Sequence, residues 1–113
     1  MKLLIVGSIS IKDYNLEKHI PCDTTLIITG GAGGIDTLAE NYADKKHLSK
    51  LILRSQYNVY RKGAPLKRNE TMVEICDMAL IIWDDCSKGT EYTLNYAYKM
   101  GKKVILIKPF SKE

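Results

Sequence analysis

Residues 25–39 read TLIITGGAGGIDTLA, and this stretch decides the fold class. Residues 25–29 form an apolar run that is typical of a strand buried on both faces of a sheet. Four glycines follow within residues 30–34. The apolar residues from Ile35 onward then recur at helical spacing. The stretch therefore predicts a strand, a tight glycine loop and a helix in succession.

The same alternation extends over the rest of the chain. Comparable apolar runs occur at residues 2–6, 51–53, 78–83 and 104–107. Helical spacing recurs around Met72 and Leu94, a weaker pattern predicts a short helix over residues 14–20, and Gly101 lies where a C-terminal helix cap belongs. Alternating strands and helices predict an α/β fold, a three-layer, doubly wound sheet of about five parallel strands.

Length and composition indicate a single domain over residues 1–113. Of the 113 residues, 45% are hydrophobic and 27% charged, which excludes intrinsic disorder. No apolar run approaches the ~20 residues of a membrane span, and the N-terminal residues make a poor signal peptide. We therefore expect a cytoplasmic protein with no membrane partner. The net charge of +4 suits an anionic partner.

Cysteine and histidine usage argues against a metal. The three cysteines, Cys22, Cys76 and Cys86, lack paired spacing, which disfavours a disulfide scaffold and a zinc ribbon. The two histidines, His19 and His47, exclude a histidine-rich metal site and leave few candidates for a Ser-His-Asp triad. We expect no bound metal.

Ligands of doubly wound sheets bind beyond the carboxyl ends of the strands, so the loops there are the candidate site. Gly7 and Ser8 follow the first strand. The glycine loop after the second strand lets a phosphate or ribose approach the main chain and the helix N-terminus. A bulky side chain at Gly33 would then block the ligand. The alternative is a tight turn that only lets the helix pack on the strand. The loop is neither a Walker A nor a GxGxxG motif, so we expect no ATP hydrolysis and no NAD cofactor.

The loop after the fourth strand, residues 84–90, predicts a second anion site at a helix N-terminus. Its candidate ligand-binding residues are Ser87, Lys88, Gly89 and Thr90. The alternative is a plain N-cap by Ser87 or Thr90. Asp84 and Asp85 can bind ribose hydroxyls or Mg²⁺, but acidic residues are common at strand ends, so a metal is disfavoured.

A third stretch, residues 61–68, holds four basic residues. The planar guanidinium of Arg68 suits a phosphate, whereas the alternative is a solvated basic face. Tyr57 and Tyr60, just upstream, can stack on a base or pack against the core or its rim.

Together these stretches resemble the SLOG superfamily, which unites the Rossmann-like domain of DNA-processing protein A with the LOG phosphoribohydrolases and the small YspA-like proteins. Residues 29–39, TGGAGGIDTLA, look like the family pattern S/T-G-G-A-x-G-x-D-x-x-A. Residues 63–72, GAPLKRNETM, are similar to the YspA-like segment G-x-x-R-N-x-x-M, and residues 87–90 match the glycine-threonine loop.

The resemblance implies a Rossmann-like nucleotide-binding domain that forms a homodimer or a higher homo-oligomer. It places a nucleotide-derived ligand between the two glycine loops. The family carry-over assigns to this pocket Gly30, Gly31, Ala32, Gly33, Asp36, Arg68, Asn69, Gly89 and Thr90.

One position departs from the catalytic branches. The LOG phosphoribohydrolases carry P-G-G-x-G-T-x-x-E, whose Glu serves catalysis, and Thr93 stands at that place here. Residues 89–104 also look like the nucleoside deoxyribosyltransferase motif, whose nucleophilic Glu is again replaced by Thr93. Because a Thr cannot form the stabilised glycosyl ester, an enzyme would have to use Glu91, Asp84 or Asp85.

The leading prediction is thus a module that binds a nucleotide or nucleotide-derived ligand, as a sensor or a sequestering protein. One alternative is an enzyme that cleaves or transfers at the N-glycosidic bond of a nucleoside monophosphate. A second is single-stranded DNA binding, as in DNA-processing protein A.

Overall fold

The computed structural model describes residues 1–54 and 64–109. Their strands are β1 (Lys2–Gly7), β2 (Leu26–Thr29), β3 (Ser49–Ile52), β4 (Met78–Ile82) and β5 (Lys103–Ile107). They form one sheet in the order β3-β2-β1-β4-β5, and every neighbouring pair is parallel. The predicted α/β, doubly wound architecture is confirmed.

Within the described ranges, three helices cover the two faces of this sheet. They are α1 (Ile35–Lys45), α2 (Ala64–Ile75) and α3 (Lys88–Lys99). Helix α1 packs on one face, and α2 and α3 pack together on the other. In the described part of the chain, no helix has the length and apolar character needed to cross a membrane.

Each apolar strand supplies both layers of the core. Leu3 and Ile5 point towards α1, whereas Leu4 and Val6 point towards α2 and α3. This follows from the alternation of side chains along a strand. All five residues of β4 are buried, as expected for a strand that is covered on both faces.

The segment between β1 and β2 corrects the sequence-based prediction of a helix over residues 14–20. It contains a single 3₁₀ turn at Glu17–His19. The side chain of Asn15 accepts the N–H of Glu17 at 3.2 Å, which favours a turn over a continuous helix. At the other end Pro21 holds Ile20 in an extended conformation, with φ −89° and ψ 119°.

Helices α1 and α3 end in the same backbone motif. After α3, Gly101 has φ 71°, and the N–H groups of Gly101 and Lys102 donate to the carbonyls of Tyr98 and Ala97, both at 3.0 Å. This pair of bonds is a Schellman motif, so the predicted cap at Gly101 is confirmed. His47 takes the corresponding left-handed position after α1, with φ 56°.

The strand order defines where a ligand can bind. The chain runs from β1 through β2 to β3 at one edge and then crosses to β4 on the opposite side of β1. The direction of winding reverses between β1 and β4, so the loops that follow these two strands diverge. In parallel sheets, the crevice between such loops is the usual ligand site.

Candidate functional site

A cavity of about 240 Å³ lies at this crevice, beyond the carboxyl ends of β1 and β4. The glycine loop after β2, the second turn of α2 and the N-terminal part of α3 complete its walls. Its lining consists of Val6, Gly7, Ile9, Ser10, Ala32, Asp36, Arg68, Asn69, Ser87, Gly89, Thr90 and Thr93.

The end of β1 forms one wall through close backbone packing. A Cβ on Gly7 would collide with the Ile82 carbonyl oxygen and come within 2.5 Å of the Ile35 side chain. Ser8 is fully buried, and its hydroxyl accepts the N–H of Asp84 at 3.0 Å. Ser8 therefore joins the loops that follow β1 and β4 instead of lining the cavity.

The glycine loop packs tightly against the β1 loop. Gly34 has φ 56°, and a Cβ there would lie 2.5 Å from the carbonyl oxygen of Ile9. Gly33 has φ 105°, but a Cβ there would find no atom closer than 4.0 Å, and Gly33 lies outside the cavity lining. Ala32 is the loop residue that lines the cavity. The close approach at Gly34 supports the tight-turn alternative, and a ligand contact at this loop stays a prediction.

Asp36, at the start of α1, is a carboxylate that lines the cavity, and it is only 4% exposed. Its Oδ2 accepts the Ala32 N–H at 3.0 Å, whereas Oδ1 has no hydrogen-bond partner among the described residues. Burial raises the pKa of this carboxyl, and the Ala32 N–H, the Thr29 hydroxyl and the Arg68 charge partly oppose the rise. The Thr29 hydroxyl is buried outside hydrogen-bond geometry, so it acts here as a neighbouring dipole.

Asp84 organises the loop between β4 and α3. Its Oδ1 accepts the N–H groups of Cys86 and Ser87, both at 2.8 Å. Its Oδ2 accepts the hydroxyls of Ser10 at 2.7 Å and Ser87 at 3.2 Å. The Ser10 hydroxyl and these N–H groups hold the pKa of Asp84 well below its ordinary value. Asp84 is thus an internal acceptor of the loop.

The first turn of α3 is left without a side-chain cap. Ser87 occupies the N-cap position but makes no capping bond, so the plain-cap alternative is not realised. Gly89 borders the cavity, and a Cβ there would meet no atom within 4 Å. Lys88 is exposed and lies outside the lining. The positive end of the helix dipole therefore lies beside open space.

Two nearly buried polar side chains line the cavity beside this turn. Thr90 and Asn69 are each 8% exposed. Within the described ranges, neither the Thr90 hydroxyl nor the Asn69 amide nitrogen has a hydrogen-bond partner. Neither atom is fully buried, so each can bond to water or to a ligand that enters the cavity.

Thr93 lines the cavity next to Gly89. The Thr93 hydroxyl donates a hydrogen bond to the Gly89 carbonyl at 3.0 Å. Glu91 is exposed, and Asp85 pairs with Lys108 at 3.1 Å on the surface. Neither these two residues nor Asp84 lines the cavity. The three carboxylates that the sequence offers for catalysis are thus absent from the lining, although Asp84 is bonded to two residues that belong to it, Ser10 and Ser87. Among the described residues, no group of three or more His, Cys, Asp or Glu side chains is arranged to hold a metal ion.

The structure brings most of the predicted site residues to the cavity. Those that line it are Gly7, Ala32, Asp36, Arg68, Asn69, Ser87, Gly89 and Thr90. Those that lie outside the lining are Ser8, Gly30, Gly31, Gly33 and Lys88. Arg68 also donates from Nη1 to the carbonyl of Gly30 at 2.8 Å. Tyr57, Tyr60, Arg61, Lys62 and Gly63 lie outside the described residues.

Four lining residues were not predicted as ligand contacts: Val6, Ile9, Ser10 and Thr93. Ile9 and Ser10 continue the loop that begins at Gly7, so their position after a buried strand was the available signal. Ile9 is also 55% exposed.

The chain matches no protein-family model, no curated protein and no solved structure. The resemblance to the SLOG superfamily therefore rests on the motifs of the sequence and stays a prediction.

Proposed function

We propose that this chain binds a nucleotide or a nucleotide-derived ligand, as a sensor or a sequestering protein. The observation that carries the proposal is the uncapped first turn of α3, which faces the crevice together with the unpaired Thr90 hydroxyl and Asn69 amide. A helix N-terminus attracts a phosphate because its N–H groups and the helix dipole both favour negative charge.

The surroundings of Gly89 support a phosphate at this turn. The open space beside Gly89 lets a ligand reach the main chain. The cavity volume of about 240 Å³ is near the lower limit of roughly 300 Å³ for small-molecule sites. It accommodates a phosphate and a sugar more readily than a dinucleotide.

The hydroxyl groups around the cavity favour binding over cleavage. Ser10 and Ser87 donate to Asp84, and Thr93 donates to Gly89. Thr93 occupies the place at which the similar enzymes carry a catalytic Glu, and its hydroxyl hydrogen is directed into the helix. The glycosidase or transferase alternative therefore lacks a carboxylate at position 93 and would have to use Asp36, the carboxylate in the lining.

Calorimetric titration with AMP, ribose 5-phosphate and adenosine tests the proposal. We expect the two phosphorylated compounds to bind and adenosine to bind much more weakly, because the phosphate contributes the interaction with α3. Equal affinity for AMP and adenosine would contradict a phosphate site.

Single-stranded DNA binding remains an alternative that involves the basic stretch at residues 61–68, of which residues 61–63 lie outside the described residues. It predicts an affinity for oligonucleotides that falls steeply with salt, whereas a pocket that holds one phosphate predicts a shallow dependence. Titrations at low and physiological salt distinguish the two.

The homodimer that the resemblance implies also remains a prediction. Strand β5 lies at one edge of the sheet, and its residues after Lys103 are only partly buried. Helix α3 packs beside it and is followed by the exposed Met100. An unpaired edge of this kind supports self-association. Light scattering that gives the monomer mass at high concentration would contradict it.

A further inference from the structure

The orientation of the Asn69 amide is fixed by its neighbour in the chain. Arg68 Nε lies 2.6 Å from Asn69 Oδ1. A guanidinium can only donate hydrogen bonds, so the atom facing it has to be the amide oxygen. The NH₂ group of Asn69 must therefore point away from Arg68.

Arg68 is itself held in place by the ends of two strands. Its Nη1 donates to the carbonyl of Gly30, directly after β2, at 2.8 Å. The same atom lies 3.4 Å from the carbonyl oxygen of Leu53, directly after β3. The planar guanidinium thus links the sheet to α2. Because Arg68 is held in this way, its Nε fixes the orientation of the Asn69 side-chain amide.

We propose that the Asn69 NH₂ group is a specificity-determining donor of the site and that Arg68 is its positioning residue. This inference rests on the proposed function. Asn69 lines the cavity at 8% exposure, and its amide nitrogen has no partner within the described ranges. A ligand that reaches this amide must present a hydrogen-bond acceptor to it, either an oxygen of the ribose phosphate or an acceptor atom of the base. A ligand with an ammonium or amide N–H there would face another donor and bind poorly.

Two substitutions of Asn69 distinguish the loss of the NH₂ donor from an effect of charge and from an effect on folding. Asn69→Asp keeps the shape and the acceptor for Arg68 Nε but removes the donor. Asn69→Leu removes donor and acceptor without adding charge. We expect both to weaken AMP binding by about 10-fold or more, as for a lost hydrogen bond to a charged group. Asn95→Asp, on the exposed side of α3, adds the same charge as Asn69→Asp and should leave binding close to wild type.

Ribose 5-phosphate shows which atom of the ligand accepts the bond. A loss with both AMP and ribose 5-phosphate indicates an oxygen of the ribose phosphate, and a loss with AMP alone indicates the base. Either pattern supports a donor at Asn69. Wild-type affinity in Asn69→Leu overturns the inference, as does an equal loss in Asn69→Asp and Asn95→Asp.

Arg68→Lys tests whether Arg68 positions Asn69. The measurement is the orientation of the Asn69 amide in NMR spectra, which does not depend on the stability of the fold. A lysine can reach one acceptor but cannot reproduce the planar fork that holds Gly30 and Asn69 together. In NMR spectra of the wild type, we expect nuclear Overhauser contacts between Arg68 Hε and the side chain of Asn69, with the NH₂ protons fixed in one orientation. In Arg68→Lys, the Asn69 NH₂ should lose that fixed orientation while the backbone spectrum is retained.

The failures of the two proposals are distinguishable. If the wild type binds none of the three probes, the proposed function falls and this inference falls with it. If the wild type binds AMP, but Asn69→Leu binds equally well or Arg68→Lys leaves the Asn69 amide fixed, the inference alone is wrong.

Discussion

The Thr93 hydroxyl donates to the Gly89 carbonyl, 3.0 Å away and one turn earlier in α3. This bond directs the hydroxyl hydrogen into the helix that carries the proposed phosphate site. Thr93 is also 1% exposed, so the oxygen is sterically enclosed. The residue therefore supports the wall of the cavity and is poorly placed to attack a glycosidic carbon.

We accordingly expect no significant hydrolysis of AMP. Chromatographic detection of adenine after prolonged incubation with the pure protein checks this. Turnover near 1 s⁻¹, within the usual range of enzymes, would contradict it and make Asp36, the carboxylate of the lining, the first residue to substitute.

Gly33→Val should act on stability and not on the site. The left-handed φ of 105° is unfavourable for a β-branched residue, so we expect a loss of about 1–3 kcal/mol in the free energy of unfolding. The new side chain would enter open space outside the cavity lining. Denaturant titration measures the loss, and calorimetry should show unchanged AMP affinity for the folded fraction. A folded variant that no longer binds AMP would instead indicate that Gly33 contacts the ligand.

Asp36→Asn should raise the free energy of unfolding at neutral pH. Burial raises the pKa of Asp36 above its ordinary value of 3.8, so the ionised form is costly in the folded state. The stabilisation by the protonated carboxyl is complete below pH 3.8 and is lost as the pH rises through the folded-state pKa. An amide can still accept the Ala32 N–H, and it can donate to the Thr29 hydroxyl oxygen, which now lacks a partner.

The advantage of Asp36→Asn over the wild type should therefore be largest at pH 7 and shrink as the pH falls towards 4. Paired denaturant titrations across this range measure it. A variant that is less stable than the wild type at pH 7 would show that the charge of Asp36 stabilises the fold.

The two Schellman motifs offer an internal comparison. Gly101→Ala should lower the free energy of unfolding by about 1–2 kcal/mol, because it places a Cβ on a residue with φ 71°. The new Cβ would meet no atom within 4 Å, so a steric clash does not add to this loss. His47→Gly, at φ 56° after α1, should recover part of that amount. Thermal denaturation of both variants checks the opposite signs. A loss in His47→Gly as large as that in Gly101→Ala would indicate that the imidazole makes a stabilising contact.

The sequence predicted the parts of this fold that depend on local pattern. The continuous apolar run at residues 78–83 predicted a strand buried on both faces, and Gly101 predicted a helix end. The segment at residues 14–20 could not be read in this way, because a side-chain bond from Asn15 and the constraint of Pro21 outweigh a weak periodicity.

The site was predictable in its position but not in its contacts. Doubly wound topology brings Gly89, Thr90 and Asn69 to one crevice, and the motifs identified all three. The same motifs predict a ligand contact at Gly33, which lies outside the cavity lining, and a phosphate contact at Arg68, which lines the cavity, so that this contact stays a prediction. Whether a glycine faces a cavity or a neighbouring carbonyl, and where a guanidinium directs Nε and Nη1, depends on tertiary packing that spacing does not encode.

The first turn of α3 is the proposed phosphate site. Substitutions at Gly89 test this site separately from folding. Gly89→Asp places a carboxylate at the positive end of the helix, which should stabilise the fold by about 0.3–1 kcal/mol. The same charge should repel an incoming phosphate and weaken AMP binding by about 100-fold. Gly89→Ala is the matched control, because its Cβ meets no atom within 4 Å.

Calorimetric titration of AMP into wild type, Gly89→Ala and Gly89→Asp is the most direct measurement. We expect tight binding to the wild type, a modest loss in Gly89→Ala, whose methyl group enters the space beside the main chain, and a severe loss in Gly89→Asp, which should be at least as stable as the wild type. Undiminished AMP affinity in a folded Gly89→Asp variant would contradict a phosphate site at α3.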